Sequence, residues 1–390
     1  MKLSSNCQRA EMDRYHAFDN LRGILMILLL ALHASAAYMV TPLGAIWPVK
    51  DSSAHVAFDI AGLFIHTFRL PLFFMMAGFF GAKLYYERGT IEFVKNRVRR
   101  IGVPLVLFWL FLAPLIVTPF VLLHLDNQSR TLNDLMSLLV STNTLSHLSF
   151  FHLWFLFDLL IYYGTALLLI QLCELTQLRR FSRYCDKVGS LLRSPCGLLV
   201  FIIATAMSLL PSELGMLETP AVFARPVSTL VADSVFFLFG WGLYIHRDLM
   251  GLTSSRVWAY ASLGFTFFLA HLVCVFYGLR GVPILHVPAS VFASLSIWLL
   301  IYGIVGLFGR YCNKPSRIGR YISDSSYWCY LVHLPIVAWM LLLTDDWRIS
   351  ALLKYVLTLV TTILVCLLTY DRLVRSTFIG VLVNGRRHPR

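Results

Sequence analysis

The chain has 390 residues, of which 58% are hydrophobic and 14% charged, with a formal net charge of +13. A soluble domain carries about a quarter charged residues, so this composition cannot cover a water-facing surface; the mean hydropathy of +0.72 agrees. Nucleic acid is not the partner that the positive charge indicates. Lys and Arg fall in short clusters between long apolar runs, which is the topology signal of a membrane protein.

A run of about 20 apolar residues spans the hydrocarbon as a helix at 1.5 Å per residue. In chain order the predicted spans are 18–39, 58–82, 101–123, 150–173, 196–212, 227–246, 257–278, 287–308, 323–344 and 349–370, the fifth being short. The runs lack the alternation of barrel strands, and an open sheet edge cannot face lipid. The expected fold is therefore an all-α polytopic membrane protein of about ten transmembrane helices. Residues 1–17 form an N-terminal segment, 18–371 the membrane domain and 372–390 a basic tail.

The linker after the second span holds Lys83, Arg88, Lys95, Arg97, Arg99 and Arg100, and the one after the fourth holds Arg179, Arg180, Arg183, Lys187 and Arg193. Arg310, Lys314, Arg317 and Arg320 follow the eighth span, and Arg372, Arg375, Arg386, Arg387 and Arg390 occupy the tail. The alternate loops carry single cations, at Lys50, Arg130, Arg225, Arg280 and Arg348. This asymmetry predicts that both termini are cytoplasmic. Ala34-Ser35-Ala36 resembles a signal-peptide cleavage site, but removal of the first span would break the charge alternation.

Ionisable groups inside a bilayer are costly and mark function. Arg22 and His33 are eleven residues apart, within about 20° of three full turns, so they share one face with roughly 16 Å between them along the axis. His66 and Arg69 share a face of the second span at i, i+3 spacing. His152 and Trp154 open the fourth span, and His333 lies mid-way along the ninth. His271 is read as packing. The carboxylates Asp19, Asp59, Asp158, Asp233, Asp324 and Asp371 are all placed near predicted helix ends, which disfavours a proton-pump reading. A neutral histidine can deprotonate a hydroxyl, and a buried cation can stabilise an oxyanion. The basic ledge around Arg97 and Arg100 suits the phosphates of a coenzyme A donor. These groups favour acyl transfer, while a flippase or transporter with a cationic cavity stays open.

The stretch Phe18-Asp-Asn-Leu-Arg22 through His33, an Arg and a His with ten residues between them, resembles the opening of the membrane acyltransferase-3 family. The likeness extends to the subgroup typified by glucan biosynthesis protein C. It continues in order through His66-Thr-Phe-Arg69 with Phe73 to Gly78, Arg97 to Pro104, His152 to Leu156 and Tyr330-Leu-Val-His-Leu-Pro335. The resemblance implies an acyl-CoA-dependent O-acyltransferase of the bacterial inner membrane. In the subgroup it implies succinyl transfer from succinyl-CoA to sugar hydroxyls of osmoregulated periplasmic glucans, with O-acetylation of another envelope polysaccharide as the alternative. His33 is then the expected catalytic histidine, assisted by Arg69 and His66. Arg22, Arg97 and Arg100 hold the donor, and His152, Trp154 and His333 line the substrate site. No permanently bound cofactor or metal is expected. The expected partners are acyl-CoA, a periplasmic glucan or other polysaccharide, membrane lipid and a second copy of the chain in a homo-oligomer.

Overall fold

A computed structural model describes residues 15–43, 47, 49–124, 150–175, 195–219, 226–246 and 256–385. The described residues form helices joined by turns and loops, without strands. The helices are α1 (His16–Ser35), α2 (Val56–Arg97), α3 (Val103–His124), α4 (Trp154–Leu175), α5 (Pro195–Leu209), α6 (Val227–Ile245), α7 (Val257–Gly278), α8 (His286–Tyr311), α9 (Arg317–Thr344), α10 (Ala351–Thr369) and the short α11 (Phe378–Val383). Eight helical stretches are long and apolar enough to cross a membrane, so the chain is a polytopic membrane protein.

One of those stretches, Val56–Leu123, runs for 68 residues, far more than the ~20 a single crossing needs. Its excess length has a local cause. Gly89 interrupts α2 at φ 76°, a left-handed conformation that side chains resist, and the chain folds back there. Phe93 meets the ring of Tyr85 at 6.0 Å, and the Arg97 guanidinium donates to the Phe80 carbonyl at 3.4 Å. A π-helical turn, Val98–Gly102, then aims the chain into α3. The stretch thus contains two of the predicted spans. The fifth, α5, has 15 residues, or about 22 Å of helix, less than the ~30 Å hydrocarbon thickness.

Contacts fix the relative directions. Against α1, α2 runs antiparallel, with Gly62 beside Met39 and Leu32 and Phe79 in edge contact with Phe18. Parallel to α1 runs α9, since Arg22 bonds to Ser323 and His33 packs on His333. Trp258 meets Tyr311 while Phe267 meets Phe292, so α7 and α8 are antiparallel. Both described ends lie on one face. Lys83 sits over the Tyr15 ring at 5.4 Å, and Arg100 donates to the Asn384 carbonyl at 2.8 Å. That face also carries the basic linkers after α2 and α8.

The helices pack closely where glycine permits. At Gly240 on α6, an added Cβ would run into the Met75 carbonyl of α2. Gly240→Ala is expected to force the two helices apart and to destabilise the protein by about 1–3 kcal/mol, read as a lowered melting temperature in detergent.

On the opposite face the loop after α1 is folded down and strapped. The Asp59 carboxylate accepts from the Val40 and Thr41 amides, both at 2.8 Å, and the Asp51 and His55 amides donate to Ala37 and Tyr38. Lys354, 3% exposed, pairs with Asp51, 9% exposed, at 2.8 Å. Burial pushes the Asp51 carboxyl up, but hydrogen bonds from Lys354 and Ser53 outweigh it and hold the group below its ordinary value of 3.8. A carboxylate with a depressed value contributes stability above its unfolded value and loses it as pH falls through the folded one. The strap should therefore release below about pH 4. Asp51→Asn is expected to cost about 3 kcal/mol, because Lys354 is left buried without its counter-ion, and to abolish that acid step in thermal unfolding.

Candidate active site

A cavity of about 1870 Å³ opens at the basic face between α1, α2, α4 and α9. Its mouth is lined by Lys83, Arg88, Arg97, Arg100, Arg317 and Arg320, and its inner end by His33, Arg69, His152 and Trp154. The C-terminal Val383, Asn384 and Gly385 also border the mouth. From Asp19 at the mouth to His33, α1 climbs fourteen residues, about 21 Å.

Three basic groups at the mouth are positioned by the fold. Arg22 donates to Ser323 Oγ at 2.6 Å and to Asp19 Oδ1 at 3.2 Å. Arg97 lies 4.3 Å over the Tyr163 ring and 5.3 Å over Phe93, a cation–π cage that holds a charge without neutralising it. Arg100 is tied to Asn384, and its own carbonyl accepts from Tyr327 at 2.7 Å.

At the inner end three imidazoles form a row. The His33 and His333 ring centroids are 4.9 Å apart, and those of His333 and His152 are also 4.9 Å apart. His333 is fully buried, while His152 is 6% and Arg69 5% exposed. His33 Nδ1, His152 Nδ1, His333 Nε2 and Arg69 Nε are buried without a hydrogen-bond partner. Arg69 has no carboxylate partner among the described residues. Buried polar atoms are almost always paired, and four unpaired ones share the inner end of this cavity. Beyond His33, on the face opposite the mouth, Trp47 makes an edge contact with its ring at 6.1 Å and packs on Phe120 at 5.4 Å.

The structure thus brings eight of the nine predicted site residues to the cavity or its wall: Arg22, His33, Arg69, Arg97, Arg100, His152 and Trp154 line it, and His333 stands between His33 and His152. His66 stands apart. Its Nε2 is 2.8 Å from the Leu217 carbonyl in the loop before α6. His271 and His286 make matching bonds to Leu214 and Ser212, so these three histidines clamp that loop.

Two carboxylates near helix ends are more buried than their sequence positions suggested. Asp158 on α4 and Asp233 on α6 are 0% and 1% exposed, and Asp158 acts electrostatically on Tyr330. The signal was available for Asp158, which follows Trp154 by one helical turn and so shares its inward face. Trp47, Ser323 and Tyr327 gave no comparable signal, since their roles arise from contacts between distant segments.

A helical membrane bundle whose buried histidines meet a cation-lined cavity has the parts of an intramembrane acyltransferase. The chain matches the acyltransferase domain of the acyltransferase-3 family over residues 15–371 and belongs to that family. It is 23% identical over 382 residues to glucans biosynthesis protein C of Salmonella typhimurium (strain LT2), covering 96% of this chain and 95% of that protein. The protein of the same name from Salmonella enteritidis PT4 is 24% identical over the same length, with equal coverage. No solved structure shows a significant match.

Proposed function

We propose that this acyltransferase moves a succinyl group from cytoplasmic succinyl-CoA to sugar hydroxyls of osmoregulated periplasmic glucans, in the bacterial inner membrane. The observation that carries the reading is the single cavity that joins a cation-lined mouth to His33. A nucleotide phosphate group suits the Arg22, Arg97 and Arg100 mouth, with the thioester arm directed along the shaft. The charge asymmetry supports a cytoplasmic mouth. The acceptor approaches from the other face, past Trp47. The glucan assignment is carried by the similarity to the Salmonella proteins.

In the reaction, His33 takes the proton of the sugar hydroxyl while the oxygen attacks the thioester carbon. Arg69 faces the oxyanion that develops there. Collapse expels the thiolate, which recovers the proton from His33 as free thiol. Water is kept from the thioester by the aromatic cover of Trp47 and Phe120.

The test is ester analysis of periplasmic glucans from cells with and without the protein. The reading requires succinyl esters that vanish on deletion and return with wild type. Unchanged glucans, with loss of acetyl esters from a surface polysaccharide, would reject the succinyl-glucan assignment in favour of O-acetylation.

A further inference from the structure

Two of the three histidines at the inner end are locked in one tautomer by backbone carbonyls. His333 Nδ1 lies 2.8 Å from the Tyr330 carbonyl and 3.1 Å from that of Cys329. Both partners only accept, so Nδ1 carries the hydrogen, and the Nε2 of the neutral ring is a bare lone pair. His152 is locked by a different device. Pro335 has no N–H, so the Leu331 carbonyl four residues earlier lacks its helical donor. His152 Nε2 donates to that carbonyl at 3.0 Å, which leaves Nδ1 as its lone pair. The Tyr330 hydroxyl secures the same residue by donating to the His152 carbonyl at 2.7 Å. Both lone pairs are buried and unpartnered.

Two acceptors cannot satisfy each other, so a donor must come to them. Arg69 and His33 adjoin them and can supply one, and of the two it is the His33 ring that contacts the ring of His333. We propose that His333 is a positioning residue for His33, accepting its N–H through the locked Nε2 and supporting the imidazolium that forms during transfer, with His152 held as an acceptor behind it. The inference rests on the reading of His33 as the base. The step balances: the hydroxyl O–H breaks, an N–H forms on His33, and the departing thiolate later takes that proton. No proton needs to pass on to His333. A neutral imidazole here occupies the place that a carboxylate holds in many acid–base dyads.

The charged and titratable groups that act on this row are Arg69 of α2, His66 of α2 from its place beside Leu217, and Tyr330 of α9 with Asp158 of α4 behind it. Cys329 meets Cys366 of α10 one turn away from His333. Helix α3 meets α9 through Phe108 and Leu115. Among the described residues, none of the side chains nearest His33 supplies a carboxylate, so the lone pair of His333 is the acceptor at hand.

The experiment has two readouts on the full-length protein in nanodiscs. Nitrogen NMR of labelled histidines should find the Nδ1–H tautomer at His333 and the Nε2–H tautomer at His152. Either reverse tautomer overturns the proposal. The second readout is the pH profile of transfer. An acceptor for its N–H makes His33 more basic, so His333→Ala should move the acidic limb of kcat/KM down by about one pH unit. A carboxylate in His333→Glu should move it up, and the neutral acceptor of His333→Gln should leave it in place. If the alanine variant does not fold, the Glu and Gln variants decide. A limb that stays fixed in all variants while kcat falls would show a packing role and overturn the proposal. Absence of any transfer by wild type with the predicted tautomers intact would instead count against the proposed function.

Discussion

Arg69→Met should abolish most transfer while leaving the protein as stable as wild type or more so. The guanidinium is 5% exposed, its Nε has no partner, and no carboxylate among the described residues neutralises it. Burying a charge without a partner is among the most costly arrangements in a protein. A residue kept for the fold would be expected to stabilise it, whereas Arg69 is expected to oppose it, and relief of that penalty is the physical basis of the trade between stability and activity. Methionine fills similar space and carries no charge. Removal of one oxyanion donor lowers kcat by about 10²–10³-fold, and that is the expected loss here. Thermal unfolding and initial rates on the same preparation check both halves. A variant that unfolds at lower temperature and keeps its rate would reverse the account of this residue.

His33→Ala should lower transfer by about 10²–10⁴-fold, the usual contribution of a positioned acid–base group, with insertion and melting temperature retained. Alanine is the better helix former, and the ring is held by edge contacts with Trp47 and His333. An acyl-histidine intermediate predicts the same loss, and trapping of labelled acyl group on wild-type protein without acceptor separates it from general-base attack. A fully active His33→Ala protein would exclude both mechanisms.

Much of the fold was legible because lipid enforces it. Apolar run length sets where a helix crosses, and the predicted spans coincide with α1 to α10 except at their ends. The exceptions have local causes. Helix α2 continues to Arg97 because Gly89 lets it turn back rather than stop. Helix α9 begins at Arg317 instead of 323 because the Ser316 side chain caps it, accepting from the Gly319 amide. Neither extension is apolar enough for a hydropathy reading to include it.

The site was legible in part. Spacing alone placed Arg22 and His33 on one face, and both line the cavity. Spacing could not show that His33 meets His333, 300 positions away in sequence, or that Trp47 covers it. The i, i+3 rule paired His66 with Arg69, yet a difference of about 60° around the helix leaves His66 bonded to the loop at Leu217 while Arg69 lines the cavity. The tautomer locks were equally hidden. Pro335 was visible in the sequence, but which side chain takes the carbonyl it frees depends on the packing of α4 against α9.

The measurement that tests the central claim most directly uses purified protein in sealed liposomes, with acyl-labelled succinyl-CoA on the side of the Arg97–Arg100 mouth and glucan on the other. The account predicts alkali-labile label on the glucan, free coenzyme A on the donor side, and neither with His33→Ala. Label that crosses the membrane without forming an ester, or equal ester formation by His33→Ala, would contradict it.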